Sequence, residues 1–138
     1  MKKVLMGLLM ASLALVSAPA RANSKLKADF AKIYADEKAD KEFVDLVKKA
    51  GCWVCHVDGE DKKKVRNPYG KSLHEMLEKD KFPMAEYKKD PAKYADRLKE
   101  IFKKVEAEKS GDEEHKTFGD RIKAKLLPGG NIKGKKDE

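Results

Sequence analysis

The chain has 138 residues; 41% are charged, 41% are hydrophobic, and the formal net charge is +8. That length suits one domain around one core. Charge this dense excludes a membrane-embedded bundle, two cysteines are too few for a disulfide-rich mini-protein, and apolar residues gathered into helical patterns exclude a wholly disordered chain.

Residues 1–22 read as a Sec signal peptide. Lys2 and Lys3 form the positive stretch, Val4 to Val16 is uncharged, and Ala18-Pro19-Ala20-Arg21-Ala22 supplies small residues. Cleavage is expected after Ala22, with Ala18-Pro19-Ala20 as the rival site. The uncharged run from Val4 to Ala20, 17 residues, stands at the short limit of the ~17–25 residues that span a bilayer, so an uncleaved anchor is the competing reading. Removing the segment takes away Lys2, Lys3 and Arg21 and no acid, so the remaining domain, 23–138, is less basic than the whole chain. The expected location is the periplasm or another exported compartment, which is oxidising.

The next span, Lys25 to Ala50, has helical periodicity. Leu26, Phe30 and Ile33 mark one stripe; Phe43, Val44, Leu46, Val47 and Ala50 mark another. Ser24 can cap its start, a break is expected in the polar stretch Ala35 to Asp40, and Gly51 ends it. Cys52 to Asn67 reads as loop. Asn67-Pro68 is a cap followed by a first-turn proline, opening a helix with Tyr69, Leu73, Met76 and Leu77 on its apolar face. Phe82-Pro83-Met84 reads as loop. Asp90-Pro91 repeats the start signal before Tyr94, Leu98, Ile101, Phe102 and Val105, which lie at amphipathic spacing. Ser110-Gly111 is the expected stop. A short helix from Thr117 to Leu127, with Phe118, Ile122 and Leu126 inward, would end at Pro128-Gly129-Gly130. Ile132 to Glu138 reads as a frayed tail. The fold class expected is all-α.

The chemistry concentrates in Cys52-Trp53-Val54-Cys55-His56, the C-x-x-C-H pattern of covalent haem attachment. Two thiols three apart can form thioethers with two vinyl groups on one haem edge, and the next imidazole can then bind the iron. A thioredoxin-like redox pair needs a βαβ context that is absent. A zinc site needs four ligands, and no third cysteine exists.

With an export signal, this motif and the order helix, Cys-x-x-Cys-His, loop, helix, ligand loop, helix, the chain resembles a single-haem c-type cytochrome of the class I type. The resemblance covers roughly residues 40–105 and leaves 108–138 as a C-terminal extension. It implies a small cytochrome-c-like domain packed around one covalent haem c. It also implies that Pro68, twelve residues past His56, offers its carbonyl to the histidine Nδ1–H; a plain helix-start role explains the same proline. Trp53 and Tyr69 join Pro68 as expected neighbours of the haem.

The second axial ligand is sought among the methionines and histidines outside the signal. Met84, following Pro83 between two helices, stands where a class I cytochrome supplies its methionine and is the leading candidate. His115, in the polar loop Gly111 to Lys116, is next, and a five-coordinate iron is the third possibility. Met76 lies on an apolar stripe and His74 toward the polar side, so packing and exposure are their expected roles.

The function expected is electron transfer between redox proteins, without enzymatic turnover. A six-coordinate iron leaves no open position for substrate, and ligand identity and burial set its potential. The alternatives are a five-coordinate haem protein that binds a small ligand or peroxide, and a small haem subunit of a larger periplasmic complex. Lys48, Lys49, Lys62, Lys63 and Lys64 could steer an acidic redox partner, although Asp58, Glu60 and Asp61 among them suit an ordinary solvated surface. Mixed charge and export speak against nucleic acid.

Overall fold

The computed structural model describes residues 24–136, so the expected signal segment and cleavage site lie outside the described residues. Among the described residues the secondary structure is helical, with two isolated bridges, His56↔Arg66 and Lys109↔Thr117. No helix among them is long and apolar enough to cross a membrane.

The helical span after the signal is two helices, α1 (Ser24–Tyr34) and α2 (Lys41–Ala50), separated at the polar stretch where a break is expected. Asp40 starts α2 because its carboxylate accepts from the backbone N–H of Glu42 and Phe43 at 3.1 and 3.2 Å. Phe43, Val47 and Ala50 lie on one face and are buried. Gly51 closes α2 with φ at +55°, its N–H given to the Val47 carbonyl. The chain then tightens into a 3-10 turn, Gly51–Val54.

Helix α3 (Pro68–Lys79) starts as its sequence signal implies: the Asn67 side chain accepts from Gly70 N–H at 2.9 Å, with Pro68 at the first position. Tyr69, Leu73 and Leu77, four apart, are buried, while Met76 packs half-buried beside them. At the end of α3, Lys81 takes φ +51°. The Phe82 N–H then reaches back to the Leu77 carbonyl at 2.9 Å, folding Phe82 onto the core.

Four local expectations are corrected. Met84 is not in a loop but opens the short helix α4 (Met84–Tyr87) behind Pro83. Helix α5 (Ala95–Glu106), preceded by a 3-10 turn at Ala92–Tyr94, ends before Ser110-Gly111. The residues after it form the Lys109↔Thr117 bridge instead. Helix α6 (Phe118–Lys123) is also shorter than expected. Lys125 turns the chain with φ +63°, so Leu127 rather than Leu126 is buried. Finally, the stretch from Ile132 to Lys136 is packed rather than frayed: Lys133 accepts from the Asp58 N–H at 2.8 Å and Gly134 is buried.

The core sits between α3 and α5, with α1 laid across it. Leu98, Ile101, Phe102 and Val105 of α5 are buried against it. Phe30 is the buried residue of α1; its ring meets Phe102 at 6.2 Å and Tyr69 at 5.7 Å. The Tyr34 hydroxyl donates to Glu106 at 2.5 Å. One buried aromatic side chain contributes about 1.5–3 kcal/mol of burial, so Phe30 is the main anchor of α1.

Candidate functional site

A 3-10 turn repeats every three residues, so side chains at i and i+3 eclipse. That geometry turns Cys52 and Cys55 to the same side. The turn is closed by the Cys52 carbonyl, which accepts from Cys55 and His56 N–H at 3.3 and 3.1 Å. Both cysteines are free thiols. With His56 they stand on the wall of a cavity of about 480 Å³, within the range of small-molecule and cofactor sites. Leu26 and Phe30 of α1, Val54, Leu73 and Leu77 of α3, Phe82 and Met84 supply its apolar lining. Lys27, Lys62, Lys63, Arg66 and Lys81 line it too, against a single acid, Glu78.

Burial pushes the Cys55 thiol up to about 12; the neighbouring Cys52 adds to this and Arg66 opposes it. Cys55 is therefore a neutral thiol at neutral pH, suited to forming an uncharged thioether and unsuited to acting as a thiolate. Burial also lowers the pKa of His56, against the hydrogen bond to Val65. Its Nδ1 lies 3.1 Å from the Val65 carbonyl. A carbonyl can only accept, so Nδ1 carries the proton and Nε2 keeps its lone pair.

That bond is a correction. The carbonyl expected to hold Nδ1 was that of Pro68, but the acceptor is Val65. The His56↔Arg66 bridge brings this stretch alongside the histidine, and Pro68 serves as the exposed first residue of α3. Tyr69 is likewise not on the cavity wall. It is fully buried between Phe30 and Phe118, with ring centroids at 5.7 and 5.3 Å. Its hydroxyl is the one buried side-chain polar atom without a partner among the described residues. Trp53 is not among the lining residues; Lys62, which lines the cavity, holds its Nζ 4.4 Å from the Trp53 ring centroid.

Of the candidate second ligands, Met84 and His74 line the cavity, whereas Met76 and His115 do not. Met84 is brought there by α4, which is tied to α1 through Tyr87 and Asp29. His74 stands on the same α3 face as Leu73 and Leu77 and pairs with Glu78 at 3.4 Å. Its expected exposure is only partial. His115 is held in its own loop by Asp112, 3.5 Å from its Nδ1. Among the five lysines near the motif, Lys62 and Lys63 reach the cavity.

The sequence marks Asn67 only as a helix cap, and the structure adds contacts to the Cys52–His56 turn. It is buried, and its Nδ2 donates to the carbonyls of Trp53 at 2.9 Å and Val54 at 3.0 Å, with His56 at 3.4 Å. Its own N–H is given to the Cys55 carbonyl at 3.1 Å. One side chain thus joins the start of α3 to the backbone of the whole motif. Gly70 completes the join: a Cβ there would stand 1.9 Å from the Cys55 carbonyl oxygen.

The residues present fit a haem c. Two thiols and a neutral imidazole come from one turn, the lining is apolar as a macrocycle requires, and the basic side chains suit the acidic edge of such a group. Among the described residues no group of three or more His, Cys, Asp or Glu could hold a metal ion by itself, as a tetrahedral zinc site would need. No family model, curated protein or solved structure matches the chain.

Proposed function

We propose that the chain is an exported monohaem c-type cytochrome that transfers electrons between redox proteins. The observation that carries this reading is the convergence of both thiols, His56 and Met84 on one apolar cavity. Bound there, haem would supply a one-electron iron centre. Cys52 and Cys55 would each add an S–H across a vinyl group, the hydrogen going to carbon, and so hold the group without placing charge in the cavity. His56 would offer Nε2 to the iron while Val65 fixes the ring through Nδ1–H, a bond that also raises ligand basicity. Met84, whose thioether lines the same cavity, would hold the iron from its own side of the lining. Leu26, Phe30, Leu73, Leu77 and Phe82 would exclude water, which keeps reorganisation around a charge change small. Lys62 and Lys63 would favour an acidic partner through salt-dependent association.

The test is export of the chain in a host able to mature c-type cytochromes. The wild type should gain the mass of one haem and give the haemochrome spectrum of a haem bound by two thioethers. Cys52→Ala with Cys55→Ala should lose all covalent haem. Met84→Ala should lose the methionine-to-iron charge-transfer band of a low-spin protein, and His74→Ala should keep it. A wild type without bound haem would overturn the reading. A spectrum abolished by His74→Ala and untouched by Met84→Ala would transfer the ligand role to His74.

A further inference from the structure

The segment after α6 packs against the backbone of the Cys52–His56 turn. Arg121, itself buried, donates through Nε to the Leu127 carbonyl at 2.9 Å and pairs with Asp112, which fixes where this segment leaves α6. Gly129 then lies against the Asn67 amide so closely that a Cβ would stand 2.3 Å from Nδ2. Asn131 folds the rest into a turn: its N–H is given to the Lys135 carbonyl at 2.8 Å and its side chain accepts from Lys133 N–H at 2.9 Å. Gly134 comes down on the motif itself, where a Cβ would stand 1.8 Å from the His56 carbonyl oxygen. Next to it, the Asp58 N–H is given to the Lys133 carbonyl at 2.8 Å.

We propose that residues 127–136 are a strap that positions His56, making Gly129, Gly134 and Asn131 positioning residues for the axial imidazole. The ring is held at one end by Val65. The backbone that carries it is held by Asn67 and by the strap, so the ring's placement is left to the two torsions of its own side chain, which the Nδ1 bond to Val65 restrains. The inference rests on the haem reading for its consequence, because ring rotation tunes the iron, but the strap contacts are properties of the chain alone.

The test compares Gly134→Ala and Asn131→Ala with Gly111→Ala. Gly111 has φ +80° and Gly134 φ +67°, yet a Cβ at Gly111 meets nothing within 4 Å. Both alanines carry backbone strain, and only the one at 134 collides with the motif. Asn131→Ala is the gentle variant, undoing the turn without inserting a wedge. Two signals are read in the exported protein: amide exchange at Asp58, and the low-spin EPR g-values, which report the axial ring. In a chain that carries no haem, the His56 Nδ1 chemical shift replaces the g-values, so the strap is tested even if the haem reading fails. Gly134→Ala should speed Asp58 exchange at least tenfold and move the His56 signal. Asn131→Ala should do the same to a smaller degree, and Gly111→Ala should do neither. A folded Gly134→Ala or Asn131→Ala protein with faster Asp58 exchange but an unmoved His56 signal would reduce the strap to a stabilising contact and overturn the proposal. So would Gly111→Ala moving that signal equally. If Gly134→Ala does not fold, the Asn131→Ala result decides.

Discussion

The Cys52–His56 turn meets two unlike surroundings. Toward the cavity it faces side chains: Leu26, Phe30, Leu73, Leu77 and Phe82. Off the cavity it faces an amide and bare backbone: Asn67, and the strap at Gly129 and Gly134. Apolar side chains can repack by changing rotamer, whereas a saturated amide and glycines in close contact have one arrangement. The position of the motif is therefore set from the backbone side, and the shape of the space in front of it is set by the side chains.

Asn67→Ala should break this arrangement most. It removes a helix cap, worth ~1 kcal/mol, and strips buried carbonyls of their donor, at ~1–3 kcal/mol. A loss of about 3 kcal/mol in urea unfolding is expected, with faster exchange of the motif amides. A loss under ~1 kcal/mol would show that the amide is not what joins α3 to the motif.

Leu77→Ala probes the other surroundings. Leucine truncation in a closed core costs ~2–5 kcal/mol, but Leu77 borders space already open, so the lower end, near 2 kcal/mol, is expected. Exchange at His56 should stay as in the wild type, and a change there would show that the cavity wall also places the turn.

The smallest effect is expected at the root of the strap. The Asp112 carboxyl is held at about 2, first by the His115 N–H, then by that of Glu114 and by Arg121, against some burial. A depressed folded pKa contributes stability that is present above the ordinary aspartate value and lost as pH falls toward the folded one. The wild type should thus lose stability between about pH 4 and pH 2, and Asp112→Asn should flatten that part of an acid titration followed by circular dichroism.

What could be read from the sequence differs between these surroundings. The break before α2, its stop and the start of α3 follow from the polar stretch Ala35 to Asp40, from Gly51 and from Asn67-Pro68, whose chemistry is local. The cysteines, His56 and Met84 stand out in the sequence by residue type and spacing, and the structure brings them to one cavity. The stretch from Ile132 reads in the sequence as a frayed tail because its contacts are made by main-chain groups and by Gly134, which leave no apolar period to find. The inward residue after α6 was misplaced by one because a lysine at φ +63° interrupts the helical register. Val65 carries no signal in the sequence because the acceptor is a carbonyl, which every residue has, while Pro68 takes the helix-start role that its sequence position also allows. The spacing of Tyr69 with Leu73 and Leu77 puts it on the apolar face of α3 in the sequence already, and the structure buries it in the core there.

The hydrogen bond between Tyr34 and Glu106 joins residues 72 apart. Closing a loop of that size costs on the order of 4 kcal/mol of chain entropy. All the cavity-lining residues outside α1 lie within that loop. A fragment ending before α5 would contain both thiols, His56 and Met84, yet lack the Phe102 and Glu106 that hold α1 in place as a wall. The smallest contiguous piece of the described chain that holds the cavity lining together with the α5 partners of α1 is therefore residues 24–106, and cutting before α5 would leave the α1 wall tied across the cavity through Tyr87 and Asp29 without its Phe102 and Glu106 contacts.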